Sequence, residues 1–218
     1  MNRLFNMDNG IFRALSKAVD CLYLSFIFVI TCLPIFTIGT SITAMYYTVQ
    51  KVLRHDRGYV ASEYWHSFKT NFKQGTIVWL IVLASGLLLF FDMKILQAMD
   101  QAGHALGKTY VFFGVLLLFE ALWVSYLFPY MARFENNLKA IMKNAALIAI
   151  MNLPRTLLIL VLMVVFGLLL YLFMPLSFFV VPAVYTWLKN LILEKVFRKY
   201  MREEDIAAEE EMNREYKN

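Results

Sequence analysis

Apolar residues in this chain come in long blocks, not in the short alternations of a soluble core. TIVWLIVLASGLLLFF (76–91) and TLLILVLMVVFGLLLYLFM (156–174) each run without a charged side chain. A helix needs about 20 apolar residues to cross a hydrocarbon core about 30 Å thick, and these runs approach that length. Five blocks are plain, at 19–36, 76–96, 109–131, 156–174 and 176–193. A sixth stretch, 38–53, is shorter and carries Thr40, Ser41, Thr43 and Thr48. The pattern predicts an all-α, polytopic membrane helix bundle. A buried helix of a soluble protein would need a larger polar remainder to cover it than this chain supplies.

Charge decides the status of the sixth stretch, because cytoplasmic loops retain Lys and Arg. If 38–53 does not cross, the basic residues divide almost evenly between the two faces. If it returns through the membrane, giving six transmembrane helices, nineteen of the 21 Lys and Arg gather on the cytoplasmic face. Only Lys94 and Lys108 then lie outside. This arrangement predicts a multi-pass protein of the cell membrane with both termini cytoplasmic. It has a single transmembrane domain over 1–200 and a charged cytoplasmic tail over 201–218.

The first two spans form a tight hairpin in this reading, with Pro34, Gly39 and Thr40 as its motif. Proline lacks a backbone donor and glycine tolerates positive φ, so both suit a reversal. Thr31, Thr37, Thr40 and Ser41 can bond backbone groups that lipid would leave unsatisfied. A Pro-kinked helix continuing into an interfacial segment is the alternative. A second reversal is expected at Met174–Pro175, with Pro182 kinking the last span.

Two charged connections have helical periodicity. In VASEYWHSFKTNFKQG, Ala61, Tyr64, Trp65, Phe68 and Phe72 share one face, and Lys69 and Lys73 lie mainly on the other. In ENNLKAIMKNAALIAIMNLP, Leu138, Ile141, Met142, Ala145 and Ala149 repeat the pattern. Both predict cytoplasmic interfacial amphipathic helices, ended by breaks at Gly75 and Pro154. Trp65, Phe68, Lys69, Phe72 and Lys73 form a candidate cytoplasmic partner surface. The tail is expected to extend the last helix and then fray, with Glu194 and Arg198 paired at i, i+4.

Composition adds to this picture without changing it. The chain is 60% hydrophobic and 17% charged, against about 25% charged in soluble domains. Its net charge of +5 is accounted for by anchoring to anionic lipid, and no nucleic-acid signature is present. Cys21 and Cys32 would stand about 16 Å apart along one helix, too far for a disulfide. The apolar run starts only near Val19, and no cleavage pattern of a secretory signal follows it.

No enzyme constellation emerges. His55, His66 and His104 are far apart, and HExxH, CxxC, phosphate-loop and GxSxG motifs are all missing. The sequence therefore predicts no catalytic residue, no metal and no cofactor. Glu120 is the one charged residue deep inside an apolar block, where a carboxylate must be protonated, paired or facing a polar path. It is a candidate intramembrane polar site, with a functional reading (substrate, proton or partner helix) and a structural one (a hydrogen bond to Ser85, Tyr171 or Tyr185) both open.

Through LPIFTIG (33–39), Ala44–Met45–Tyr46 and FKTNFKQ (68–74), the chain resembles the YesL-like family of small bacterial integral membrane proteins. The likeness continues more loosely through FPYMARFENNLKAIMKNAALIAIMNLP. The family brings no catalytic residues to carry over. Its members are commonly encoded near carbohydrate importers of the ATP-binding-cassette (ABC) type in Gram-positive bacteria. The resemblance implies an accessory protein that assembles, stabilises or regulates oligosaccharide uptake, with membrane lipid and the importer's permease subunits as partners. The alternative is a transporter or permease subunit that itself carries a solute along a polar path near Glu120. The ATPase-docking loop of such permeases is not matched, since Asn136 and Asn137 follow Glu135 and no glycine comes after them.

Overall fold

The computed structural model describes residues 10–174 and 176–216, and no strand occurs among them. Eight α-helices follow in order: α1 Gly10–Cys32, α2 Ile38–Thr48, α3 Val60–Gln101, α4 Tyr110–Arg133, α5 Leu138–Met151, α6 Leu153–Leu172, α7 Val181–Phe197 and α8 Glu203–Glu215. Four segments are long and apolar enough to cross a membrane: Ala14–Cys32, Val60–Gln101, Ala105–Arg133 and Leu153–Leu172. Large apolar side chains such as Phe26, Leu88, Phe112 and Leu158 point outward from them, as contact with lipid requires. Several long apolar helices make this a membrane protein in character.

The reversal between α1 and α2 is built from Pro34 and a 3₁₀ turn over Ile35–Thr37. Thr37 Oγ1 donates to the carbonyls of Thr31 and Pro34 at 2.5 and 2.6 Å. Thr31 Oγ1 lies 3.0 Å from the Ile27 carbonyl, and Ser41 Oγ bonds the Thr37 carbonyl at 3.0 Å. The chain thus satisfies its own freed backbone groups. Gly39 does not belong to the turn. It sits in the first turn of α2, where a Cβ would fall 2.6 Å from the Phe128 ring and from Trp79 Cβ. Close helix approach, not positive φ, is what requires glycine there.

The expected break at Gly75 is absent, so the stretch from Val60 to Lys73 is not a separate helix. α3 runs unbroken for 42 residues, about 63 Å at 1.5 Å per residue. A glycine inside a helix costs about 1 kcal/mol, and packing outweighs it here. A Cβ on Gly75 would meet Thr40 Oγ1 at 2.7 Å and Thr40 Cα at 3.0 Å. The hairpin tip meets α3 near the middle of that helix, where Trp79 Nε1 donates to the Ile35 carbonyl at 2.7 Å. The far half of α3 pairs with α4.

α2 is enclosed by its neighbours and continues into a π-helical turn over Val49–Arg54. α5 starts on an Asn137 side chain that accepts from Ala140 N, and it buries Ile141, Ala145, Ile148 and Ala149. Pro154 lies in the first turn of α6, so the expected break there is a helix start. Pro182 likewise opens α7, where its missing N–H costs nothing, and it does not kink a span. Met174 ends the segment after α6 and a 3₁₀ turn follows over Leu176–Phe179; Pro175 lies outside the described residues.

The tail differs from expectation. α7 stops at Phe197, and α8 folds back as a helix of its own with Glu209 and Asn213 buried. Glu194 and Arg198 do not pair with each other, because Arg133 takes the first and Glu210 the second. Both cysteines are free.

Candidate functional site

The end of α4, the π-turn after α2, the last turns of α7 and the middle of α8 converge on one buried polar network. Tyr46 and Gln50 stand one helical turn apart, as do Gln50 and Arg54, and Asn190 and Glu194. That spacing turns each pair toward the same neighbour. Arg133 is the last residue of α4. Its Nε lies 3.0 Å from Glu194 Oε1, and its Nη2 lies 2.7 Å from Glu209 Oε2. Tyr46 donates its hydroxyl to Glu194 Oε1 at 3.0 Å. Gln50 Nε2 donates to Glu209 Oε1 at 3.3 Å, and Arg54 Nη1 donates to Asn190 Oδ1 at 3.0 Å.

One guanidinium therefore holds two carboxylates whose side chains are 1% and 8% exposed. Charges out of water are tolerated only when paired and hydrogen-bonded. Burial alone would raise the Glu209 carboxyl, but the hydrogen bond and charge of Arg133 outweigh it and hold that group below the usual carboxylate range. The network links three membrane-side helices to the tail. Its chemistry is that of a clasp, since both carboxylates are committed to Arg133.

Beside this clasp, α1, α2, α4, α6 and α7 line a half-open cavity of about 450 Å³. Tyr46 belongs to both features. Pro182, Tyr185, Thr186 and Lys189 line the cavity from one face of α7 at helical spacing. Lys189 is 6% exposed, and its Nζ lies 5.6 Å from the Tyr185 ring centroid.

Glu120 faces α3. Ser85 Oγ donates to its Oε1, and a Cβ on Gly86 would come within 3.1 Å of its Oε2. A smaller hollow of about 250 Å³ lies alongside, walled by Trp123, Ile150 and Leu153. Tyr171 is exposed and Tyr185 lies in the larger cavity. Pro34 is at the hairpin tip, and Thr40 Oγ1 donates to the Phe72 carbonyl at 3.3 Å. Tyr64, Trp65, Phe68 and Phe72 form an aromatic ladder along the first half of α3, with successive ring centroids 5.4–6.2 Å apart. Trp65, Lys69, Phe72 and Lys73 are exposed on it, while Phe68 is half-buried. The hairpin thus meets the ladder at Phe72, while Glu120 faces α3 farther along at Ser85, so the sequence-predicted residues do not form one site.

Sequence reasoning missed Arg133, Glu209 and Lys189, and it gave Glu194 a different partner. Arg133 and Glu194 sit at the margins of apolar blocks and Lys189 near the end of one, where a charged residue reads as an anchor in the headgroup layer, and Glu209 lies in the charged tail. The available signal was opposite sign, since Arg133 can meet Glu209 only if the tail folds back.

Among known proteins, a family described as "Protein of unknown function, DUF624" matches residues 21–93. YesL-like proteins are members of that family. The matched stretch runs from within α1 through the hairpin, the aromatic ladder and into the apolar half of α3, so the likeness is to the hairpin unit and its α3 support. No curated protein and no solved structure matches the chain.

Proposed function

We propose that the protein is an integral membrane accessory of a carbohydrate ABC importer, acting through contact with the importer's permease subunits and not through catalysis. One observation carries the reading: the exposed ladder on α3, where Trp65 and Phe72 alternate with Lys69 and Lys73. Aromatic residues are enriched at protein interfaces, and the hairpin buttresses this ladder from behind through Tyr64 and Phe68. The importer as partner rests on the resemblance to YesL-like proteins. Copurification under mild detergent tests it. The permease subunits are expected to come down with the wild-type chain and to be lost with Trp65→Ala/Phe72→Ala. A wild-type chain that runs alone, together with unaltered sugar uptake in a deletion strain, overturns it.

In the topology that goes with this reading, both termini and the ladder face the cytoplasm and the turn between α3 and α4 lies outside. In this reading α1 starts and α2 finishes at the cytoplasmic face. A second reading, solute passage near Glu120, is favoured by the hollow beside that carboxylate. Solute flux in reconstituted vesicles tests it, with abolition by Glu120→Gln as the expected result.

A further inference from the structure

Lys189 is a buried cation with no hydrogen-bond or ion-pair partner among the described residues. Burial pushes the Lys189 ammonium down to about 7, and an anion against its Nζ would hold the charge. No acid among the described residues pairs with it: Arg133 and Tyr46 hold Oε1 of Glu194, whose Oε2 is unpartnered, and Ser85 holds Glu120 Oε1. The remaining cavity wall is apolar, with Phe28, Met163, Phe166 and Leu170 among its lining residues. At about 450 Å³ the space falls within the range of small-molecule sites, roughly 300–1,000 Å³. We propose that this cavity binds a single-chain amphiphile with an anionic head, its carboxylate or phosphate against Lys189 Nζ and its acyl chain along α6. The hydroxyls of Tyr185 and Thr186, on the same face of α7 as Lys189, offer the head further polar contact. Gly167 lines the cavity too, and a Cβ there meets no heavy atom within 4 Å. It leaves space for the chain.

The test uses the full chain in phosphatidylcholine nanodiscs, titrated with cis-parinaric acid and read by its fluorescence. Saturable binding is expected, displaced by palmitate or by lysophosphatidic acid but not by methyl palmitate or lysophosphatidylcholine. Displacement by palmitate alone assigns a carboxylate head, and displacement by lysophosphatidic acid alone a phosphate head. Lys189→Met should weaken binding by roughly thirtyfold or more, the loss typical of an unpaired buried charge. Gly167→Phe should remove binding by filling the cavity while Lys189 stays in place. Equal displacement by methyl palmitate, or unaltered affinity in Lys189→Met, overturns the proposal. If Lys189→Met does not fold, unaltered affinity in Gly167→Phe overturns it instead.

Discussion

Arg133 Nη2 and Glu209 Oε2 lie 2.7 Å apart, and this contact fastens α8 to the end of α4. Arg133 also pairs with Glu194, so the two ends of the pair are not equivalent under mutation. Arg133→Met strands two buried carboxylates and should cost about 3–5 kcal/mol. Glu209→Gln leaves Arg133 with Glu194 and should cost about 1–2 kcal/mol. Thermal unfolding in detergent, with limited proteolysis beyond Arg202, measures both. A melting temperature for Arg133→Met no lower than for Glu209→Gln would refute the ranking.

The same contact sets a pH dependence. The Glu209 carboxyl is held below its ordinary value chiefly by Arg133, against the opposing effect of burial. Its contribution is complete above the unfolded carboxylate value of about 4.3 and drains away as pH falls through the lower folded value. Loss of the Glu209 contact should therefore raise the protease sensitivity of α8 in acid below about pH 4.3. In Glu209→Gln that acid step should shrink.

Gly39 and Gly75 face each other across the α2–α3 crossing, where a Cβ on Gly39 would fall 2.8 Å from the Gly75 carbonyl. Neither neighbour is the end of a flexible side chain. Gly39→Ala and Gly75→Ala should each destabilise by about 1–3 kcal/mol through overpacking, although alanine is the better helix former. Gly167→Ala, which meets open space, is the control and should be neutral or stabilising. Thermal melts of the three variants decide this.

Cysteine labelling of intact cells tests the topology. With Cys21 and Cys32 replaced by serine, Gly103→Cys should react with an impermeant maleimide. Tyr59→Cys, 83% exposed in the native residue, should react only after the cells are opened. Leu33→Cys at the hairpin tip should also stay protected in intact cells. The tip meets α3 near Trp79, and 22 further residues of α3, about 33 Å of helix, separate that point from Gln101. Labelling of Leu33→Cys from outside would mean that α1 and α2 cross completely.

Glu120 and Ser85 join α4 to α3 within the apolar zone. Glu120→Gln keeps a polar partner for Ser85 and should leave stability within about 0.5 kcal/mol, whereas Glu120→Leu should lose about 1 kcal/mol. Melting curves of the two variants separate them. Equal losses would show that the charge, not the hydrogen bond, matters at this position.

Much of the fold was legible along the chain. Hydrophobic block length identified the long apolar helices, because hydrocarbon accepts a backbone only when its polar groups bond internally. Pro34 and the threonines around it marked the reversal for the same local reason. The use of Gly39 and Gly75 was not legible, since a glycine in sequence permits a turn or a close crossing alike and only the neighbour decides between them. The clasp joins Arg133 to Glu194 and Glu209, 61 and 76 positions away in the chain, and no local pattern announces it.

By itself the sequence determined that the chain is helical and apolar in long blocks. These follow from composition and period, which every arrangement of the helices would share. The tertiary structure decided that α3 runs through its glycine, that the tail docks, and that Lys189 ends in an apolar cavity without an anion. Those outcomes depend on which side chains meet, and contact between residues distant in the chain is fixed only when the helices pack.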